Sequence, residues 1–430
     1  MDRCSQTMAR PYRMRNQIQT YAWGTRGADA FIPRLLGVEP QPDTPYAELW
    51  MGAHPKAPST IELPGGETMA LDRWIAAHPV EALGRSVAES YGALPFLFKV
   101  LSAGQALSIQ AHPTRAQAVK LHREDPEHYP DDNHKPEIAI ALDRLTALMG
   151  FKPYGAFVRT LGRYPELGGF VGPRLAERAA RAQRASALIQ AMMIREVFAT
   201  LVQQATETPE VFGEAVEALA HRLKAGFEAL DEAEALFLEL RERYGSQDVG
   251  LFALLLLNIV HLSAGEGIYT AAGVPHAYLK GNIVECMANS DNVVRVGLTP
   301  KFRDAKTLLK IVDTTPRIPE IMNGNPRVIG GNALVATYSV PAPEFTVARW
   351  AIPAGSDVSA AKGEKPAVLL VTQGRADIVW DGGRESFDRG ETAFLPACLT
   401  SYLVKAPVDA EVILAGVSDP GVQATVAQSA

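Results

Sequence analysis

Two hydrophobic rhythms alternate along the chain. From residue 13 to 111, short apolar runs of strand length, among them 47–51 and 95–101, are separated by glycine and proline. Such runs predict strands, with helices interposed at 71–77 and 80–91. A short helix is expected at 116–123, after which a polar loop, 124–134, delivers Lys135, Pro136 and Glu137 into a new strand. Between 154 and 262 the texture changes to 3.6-residue periodicity rich in Ala, Leu, Glu and Arg, as in 209–227 and in 229–243 with Gly245 at its end. From Gly265 onward the strand texture returns, and between Thr337 and Gly416 short alternating runs are broken by turns such as Asp381-Gly382-Gly383.

One run carries a chemical signature. Gly104-(x5)-Gln110-x-His112 has the spacing of a cupin metal strand, Gly-(x5)-His-x-His, with glutamine in place of the first histidine. Positions 110 and 112 of a strand point the same way, so two ligands converge without help from a loop. Gly265-(x5)-Ala271-x-Gly273-x2-His276 follows the second cupin motif, with Ala in place of Pro. Gly390-(x5)-Pro396-x-Cys398-x2-Ser401 keeps the same frame, but serine stands where the metal histidine belongs. The pattern predicts a mainly β protein with an inserted α domain and two cupin-like β-barrel (jelly-roll) domains. Residues 11–153 with 263–336 form the metal-binding barrel, 154–262 the helical insert, and 337–430 a degenerate barrel emptied of its ligand. Residues 1–10 are polar and patternless; they are expected to be a disordered tail, with Met8 as an alternative start.

Composition narrows the choice of metal and partner. The chain has 430 residues, 47% hydrophobic and 21% charged, with a net charge of −6, which gives no basic surface for nucleic acid. The longest apolar run, 251–260, is too short to span a bilayer, and no signal-like segment opens the chain. A cytoplasmic monomer is expected. The three cysteines, Cys4, Cys286 and Cys398, are far apart and form no CxxC knuckle, so any metal must use N and O ligands. A catalytic zinc wants three or four such ligands: Gln110, His112 and His276 supply three, and Glu137, about two dozen residues beyond His112, is the candidate fourth. His54, His78, His122, His128, His221 and His261 are read as surface or packing residues, and His134, close to the candidate ligands in the chain, is read as a non-ligand.

The stretches at 17–24 (QIQTYAWG), 46–55 (YAELWMGAHP), 95–113 (PFLFKVLSAGQALSIQAHP), 133–138 (NHKPEI) and 265–304 (GEGIYTAAGVPHAYLKGNIVECMANSDNVVRVGLTPKFRD) closely resemble the type I mannose-6-phosphate isomerase family. The resemblance implies one zinc per chain on Gln110, His112, Glu137 and His276, and a catalytic Arg295. It also implies interconversion of mannose 6-phosphate and fructose 6-phosphate through a cis-enediol, with a proton moved between C2 and C1. One carboxylate and three neutral ligands leave zinc a net positive charge, suited to a developing enediolate. Lys135 and Glu285 are candidates for proton transfer, their acid and base roles unassigned; a salt bridge to Arg295 is the plainer reading of Glu285. Ser108, Lys99, Lys135 and Lys301 are candidates for the phosphate at the pocket mouth, and Trp23 and Tyr278 for the pocket wall. Two other functions fit the barrels less well: a bicupin metal oxygenase holding iron on Gln110, His112 and His276, and a non-catalytic sugar-binding bicupin.

Overall fold

The apolar strand Ala367–Gln373 is divided by its own alternation between two cores. Val368 and Leu370 join one apolar cluster with Phe98, Val100, Ile138 and Val284, whereas Leu369 and Val371 join another with Ile378, Phe387 and Val404. Successive strand residues face opposite ways, so this strand lies in a sheet covered on both sides. In the computed structural model, which describes residues 8–226, 228–329, 332–361 and 363–418, that sheet has nine strands. One face packs on a four-stranded sheet made by Asp357–Ala361, Ser401–Lys405, Arg375–Trp380 and Gly383–Asp388; the other packs on a ten-stranded sheet. Each fully buried Val, Leu, Ile or Phe in these layers contributes about 1.5–3 kcal/mol.

The ten-stranded sheet positions the site. Its strands include β1 (Phe96–Ala103), β2 (Ile109–Ala111), β3 (Glu137–Phe151), β4 (Leu257–Leu262), β5 (Gly267–Thr270), β6 (His276–Ala288) and β7 (Val294–Gly297). The order β5-β3-β6-β1 continues into Glu48–Met51 and Gln17–Gln19, while β2 pairs with both β6 and β7, and β4 with β3. Leu101, Ala139, Ala147, Met149 and Ile283 fill a further apolar cluster with Tyr278. Among the described residues, seven α-helices and a short 3-10 helix between Tyr154 and Leu256 cover another part of the sheet through a core that includes Phe157, Phe198, Phe212, Phe237 and Phe252. The molecule is thus mainly β, with a helical region, in a bicupin-like arrangement.

Several expected boundaries move. The helical run stops at Leu256, and 257–262 is a strand paired with β3, Leu145 opposite Leu262. An apolar run that follows a buried helix without a polar break hides this change, and only the β-branched Ile259 and Val260 hint at it. Tyr12–Arg15, Thr60–Glu62, Thr68–Ala70 and Arg327–Ile329, assigned to the metal-binding barrel, pair instead within the nine-stranded sheet. The helix expected at 80–91 is two, Pro79–Leu83 and Arg85–Tyr91, broken at Gly84 (φ 77°), where a Cβ would collide with the Glu364 carbonyl. Of the expected tail, residues 1–7, with Cys4, lie outside the described residues. Met8 packs on the core and Arg10 pairs with Glu385 at 3.3 Å, so residues 8–10 are not a disordered tail.

Candidate metal centre

Strand register assembles the cluster from distant segments. Gln110 on β2 lies opposite His276 on β6 and opposite Arg295 on β7, so all three residues share one face. His112 follows two residues on, past the end of β2. Glu137 opens β3, between Thr270 and Met287 of its neighbours. The turn before His276 depends on Gly273, whose φ is 78° and whose N–H donates to the His112 carbonyl at 2.8 Å. A Cβ there would stand 2.6 Å from the Ile311 carbonyl; glycine therefore lets the turn close against His112 and bring the two histidines together.

Both histidines are oriented from behind. His112 Nδ1 donates to the Asn292 carbonyl and His276 Nδ1 to the Val274 carbonyl, each at 2.9 Å. With Nδ1 protonated, each Nε2 presents a lone pair to the interior, the arrangement of a metal-ligating imidazole. Those lone pairs face a carboxylate: His276 Nε2 is 2.9 Å from Glu137 Oε1, and His112 Nε2 is 3.4 Å from Oε2. All three residues are at most 1% exposed, and His112 Nε2, His276 Nε2 and Glu137 Oε2 have no hydrogen-bond partner. Three buried acceptors within 4.8 Å of one another are costly unless a cation joins them. Burial pushes His112 down to about 4, leaving it neutral at pH 7. Gln110 Oε1 accepts from Ser108 Oγ at 3.3 Å, which occupies Ser108 at the ligand set. Among the described residues, His112, Glu137 and His276 are the one His/Cys/Asp/Glu group with ligand atoms so placed.

Around them the candidates separate. Lys99, expected at the pocket mouth, is buried: β1 places it opposite Glu285 on β6, and its Nζ lies 2.6 Å from Glu285 Oε2 and 3.6 Å from Glu48 Oε2. Burial would lower Lys99, yet the two carboxylates hold it above its ordinary value. For Glu285, burial and the charge of Glu137 outweigh Lys99 and raise the carboxyl. Glu285 therefore pairs with Lys99 and not with Arg295, whose guanidinium has no carboxylate within 4 Å among the described residues. Arg295 is half-buried and borders a cavity of about 310 Å³ walled by Val202, Thr206 and Gln247 of the helical region. Lys135 Nζ is 3.8 Å from Glu137 Oε2, and Tyr278 donates its hydroxyl to Glu137 Oε1 at 3.4 Å. Tyr278 is buried against the ligand set, and burial raises its hydroxyl well above the ordinary tyrosine value. Trp23 is partly buried against the Tyr278 cluster, its ring tilted against that of Tyr21 at 5.9 Å, over which Lys301 Nζ sits at 5.8 Å.

Three groups escaped the reading of the sequence. Glu48 is a lone charge in a fully buried strand, and that break in an apolar run was its only signal. His54, read as a packing residue, is buried edge-on against Trp50, 3.7 Å from Asp291, which Lys56 also reaches at 2.6 Å. Asp248 is buried where the helical region meets the turn after β7. Its Oδ1 accepts from Gly250 N at 2.8 Å and Leu298 N at 2.7 Å, holding Leu298 at φ 58° just before Lys301.

The barrel and its buried His–Glu–His cluster define a cupin-type protein with a candidate metal site in its interior. Residues 12–154 match the model of the phosphomannose isomerase type I catalytic domain. A mannose-6-phosphate isomerase of Rattus norvegicus is 37% identical over 90% of this chain and 93% of its own, and mannose-6-phosphate isomerase 2 of Arabidopsis thaliana is 36% identical over 94% and 93%. A phosphomannose isomerase from Salmonella typhimurium superposes with TM-score 0.81 at 31% identity, covering 95% of this chain and 99% of that one. A zinc-bound mannose 6-phosphate isomerase superposes with TM-score 0.80, also at 31% identity, over 95% and 100%. The chain belongs to the type I phosphomannose isomerase family.

Proposed function

We propose that this enzyme interconverts mannose 6-phosphate and fructose 6-phosphate through a cis-enediol, with one zinc held by Gln110, His112, Glu137 and His276. The observation that carries this reading is the meeting of three buried, unpartnered ligand atoms, two of them on imidazoles whose opposite nitrogens are tied to carbonyls. When bound, zinc supplies a Lewis acid for the sugar carbonyl and its developing negative charge. The known zinc-bound relative supports that choice of metal. A barrel interior with one intact ligand set and isomerase relatives over most of the chain leaves the oxygenase and the non-catalytic binder without support.

Within the barrel, Glu285 and Lys135 are the proton-transfer candidates. The raised carboxyl of Glu285 suits a group that must take and return a proton near neutral pH, and Lys99 fixes its orientation at 2.6 Å. Arg295, half-buried and without a carboxylate partner among the described residues, can point its charge at substrate oxygens. Ser108 borders the ligand set through Gln110, and Lys301, held on the turn fixed by Asp248, is the cation left for the phosphate. A sugar phosphate is the partner; no helix among the described residues is long and apolar enough to cross a membrane. The test is a coupled assay of fructose 6-phosphate formed from mannose 6-phosphate. Activity is expected to vanish with chelator and return with zinc, and activity that survives complete metal removal would overturn the reading.

A further inference from the structure

The nine-stranded sheet reaches the metal loop through one side chain. Glu344 lies between the strands Ala333–Tyr338 and Thr346–Ile352, is 1% exposed, and sends Oε1 into the barrel's loop. That oxygen accepts from His134 Nε2 and from Arg115, each at 2.8 Å. His134 immediately precedes Lys135 and stands three residues before Glu137. The loop's opposite side is tied to its own barrel: Asn133 Nδ2 donates to the Asn289 carbonyl at 2.8 Å, and Ser290 Oγ and Asn292 Nδ2 donate to the Asn133 carbonyl at 3.1 and 3.0 Å. One clamp is therefore local, and the other is delivered from a different sheet.

The second clamp is an expensive one. Glu344 Oε2 is buried without a hydrogen-bond partner among the described residues, and a desolvated carboxylate with half its acceptor capacity unused is less favourable than a well-packed apolar residue. A purely packing role gives no reason for a carboxylate at this position. Holding an imidazole does: a charge-assisted hydrogen bond fixes direction as well as distance. We propose that Glu344 is a positioning residue for the isomerase, holding His134 so that the two residues on either side of Pro136, Lys135 and Glu137, meet the barrel interior in working geometry. The C-terminal part of the chain, which carries an emptied cupin frame at Ser401, thus contributes to catalysis by a tether and not by a metal.

This inference rests on the assignment of Lys135 and Glu137 to the active site, and the experiment separates the two. In the full chain loaded with zinc, E344A is expected to keep one zinc per chain and its circular dichroism, with kcat per zinc reduced roughly 10–100-fold, the usual effect of removing an orienting partner, and KM for mannose 6-phosphate nearly unchanged. E344Q should recover most of that loss, because its amide oxygen still accepts from His134. H134A, at a partly exposed position, should show the same fall and serves as the measurement if E344A does not fold. The double variant should be no worse than either single one, since both remove one contact. A kcat per zinc within about twofold of the unaltered enzyme in E344A or H134A, or losses that add in the double variant, would overturn the tether. Absence of isomerase activity in the unaltered protein would instead refute the function proposed above.

Discussion

Lys99 Nζ lies 2.6 Å from Glu285 Oε2, both side chains almost fully buried, with Glu48 completing a row of two carboxylates about one ammonium. Removing the cation strands two carboxylates in the interior. K99M is therefore expected to lose about 3–5 kcal/mol, the range for breaking a buried pair on one side, measured by urea unfolding of the zinc-loaded protein. E285Q keeps a similar shape and should leave one zinc per chain while kcat falls by roughly 10²–10⁴. Wild-type turnover in E285Q would remove Glu285 from proton transfer.

Gln110 is the ligand candidate with the least conventional chemistry. Its amide oxygen is neutral, so its loss changes coordination without changing charge. Q110A should bind zinc well below one equivalent after dialysis, by metal analysis, and lose activity that added zinc restores only in part. Full zinc content in Q110A would show that His112, Glu137 and His276 suffice.

Asp248 joins the helical region to the turn that carries Lys301. D248A would orphan the buried N–H groups of Gly250 and Leu298, at about 1–3 kcal/mol each. Beyond that instability, freeing Leu298 from its left-handed conformation should let Lys301 drift. KM for the sugar phosphate is expected to rise more than kcat falls, and an unchanged KM in the folded variant would disconnect Asp248 from the phosphate.

Asp291 gives a pH dependence of definite sign. Burial would raise its carboxyl, but the hydrogen bond from Lys56 and the neighbouring His54 prevail, and the folded value lies below the ordinary 3.8. The fold therefore favours the ionised form. Its contribution to stability is present above about pH 3.8 and is lost as pH falls through the folded value. D291N should melt below the unaltered protein at pH 6, with the gap closing in acid; a gap independent of pH would show that the pair adds nothing.

The parts of the site legible in sequence are those whose geometry is local. Gln110 and His112 share a strand face by period alone, and Gly273 announces the turn that aims His276. Glu137 follows only from the resemblance or from register, because its approach depends on three strands pairing over long separations. Lys99 misled for the same reason: a lysine in an apolar run looks like a mouth residue until Glu285 is found opposite. Glu48, Asp248 and Glu344 are single acids whose partners lie on other elements, and nothing near them in the chain marks their roles. The two barrels were legible as texture, but the membership of 12–15 and 60–70 was not, since strand alternation says which face is apolar and not which sheet it joins.

Tyr12–Arg15 sits between Thr60–Glu62 and Thr392–Leu395, with Tyr12 opposite Phe394. On the ribosome, this strand emerges long before its partner Thr392–Leu395. The usual order, in which an N-terminal unit completes itself while the rest is still being made, is closed to this chain. Until Thr392–Leu395 arrives, an unpaired strand edge stands open to other chains, so translation that stalls late leaves a nascent protein with its metal ligands made and its sheet unsealed.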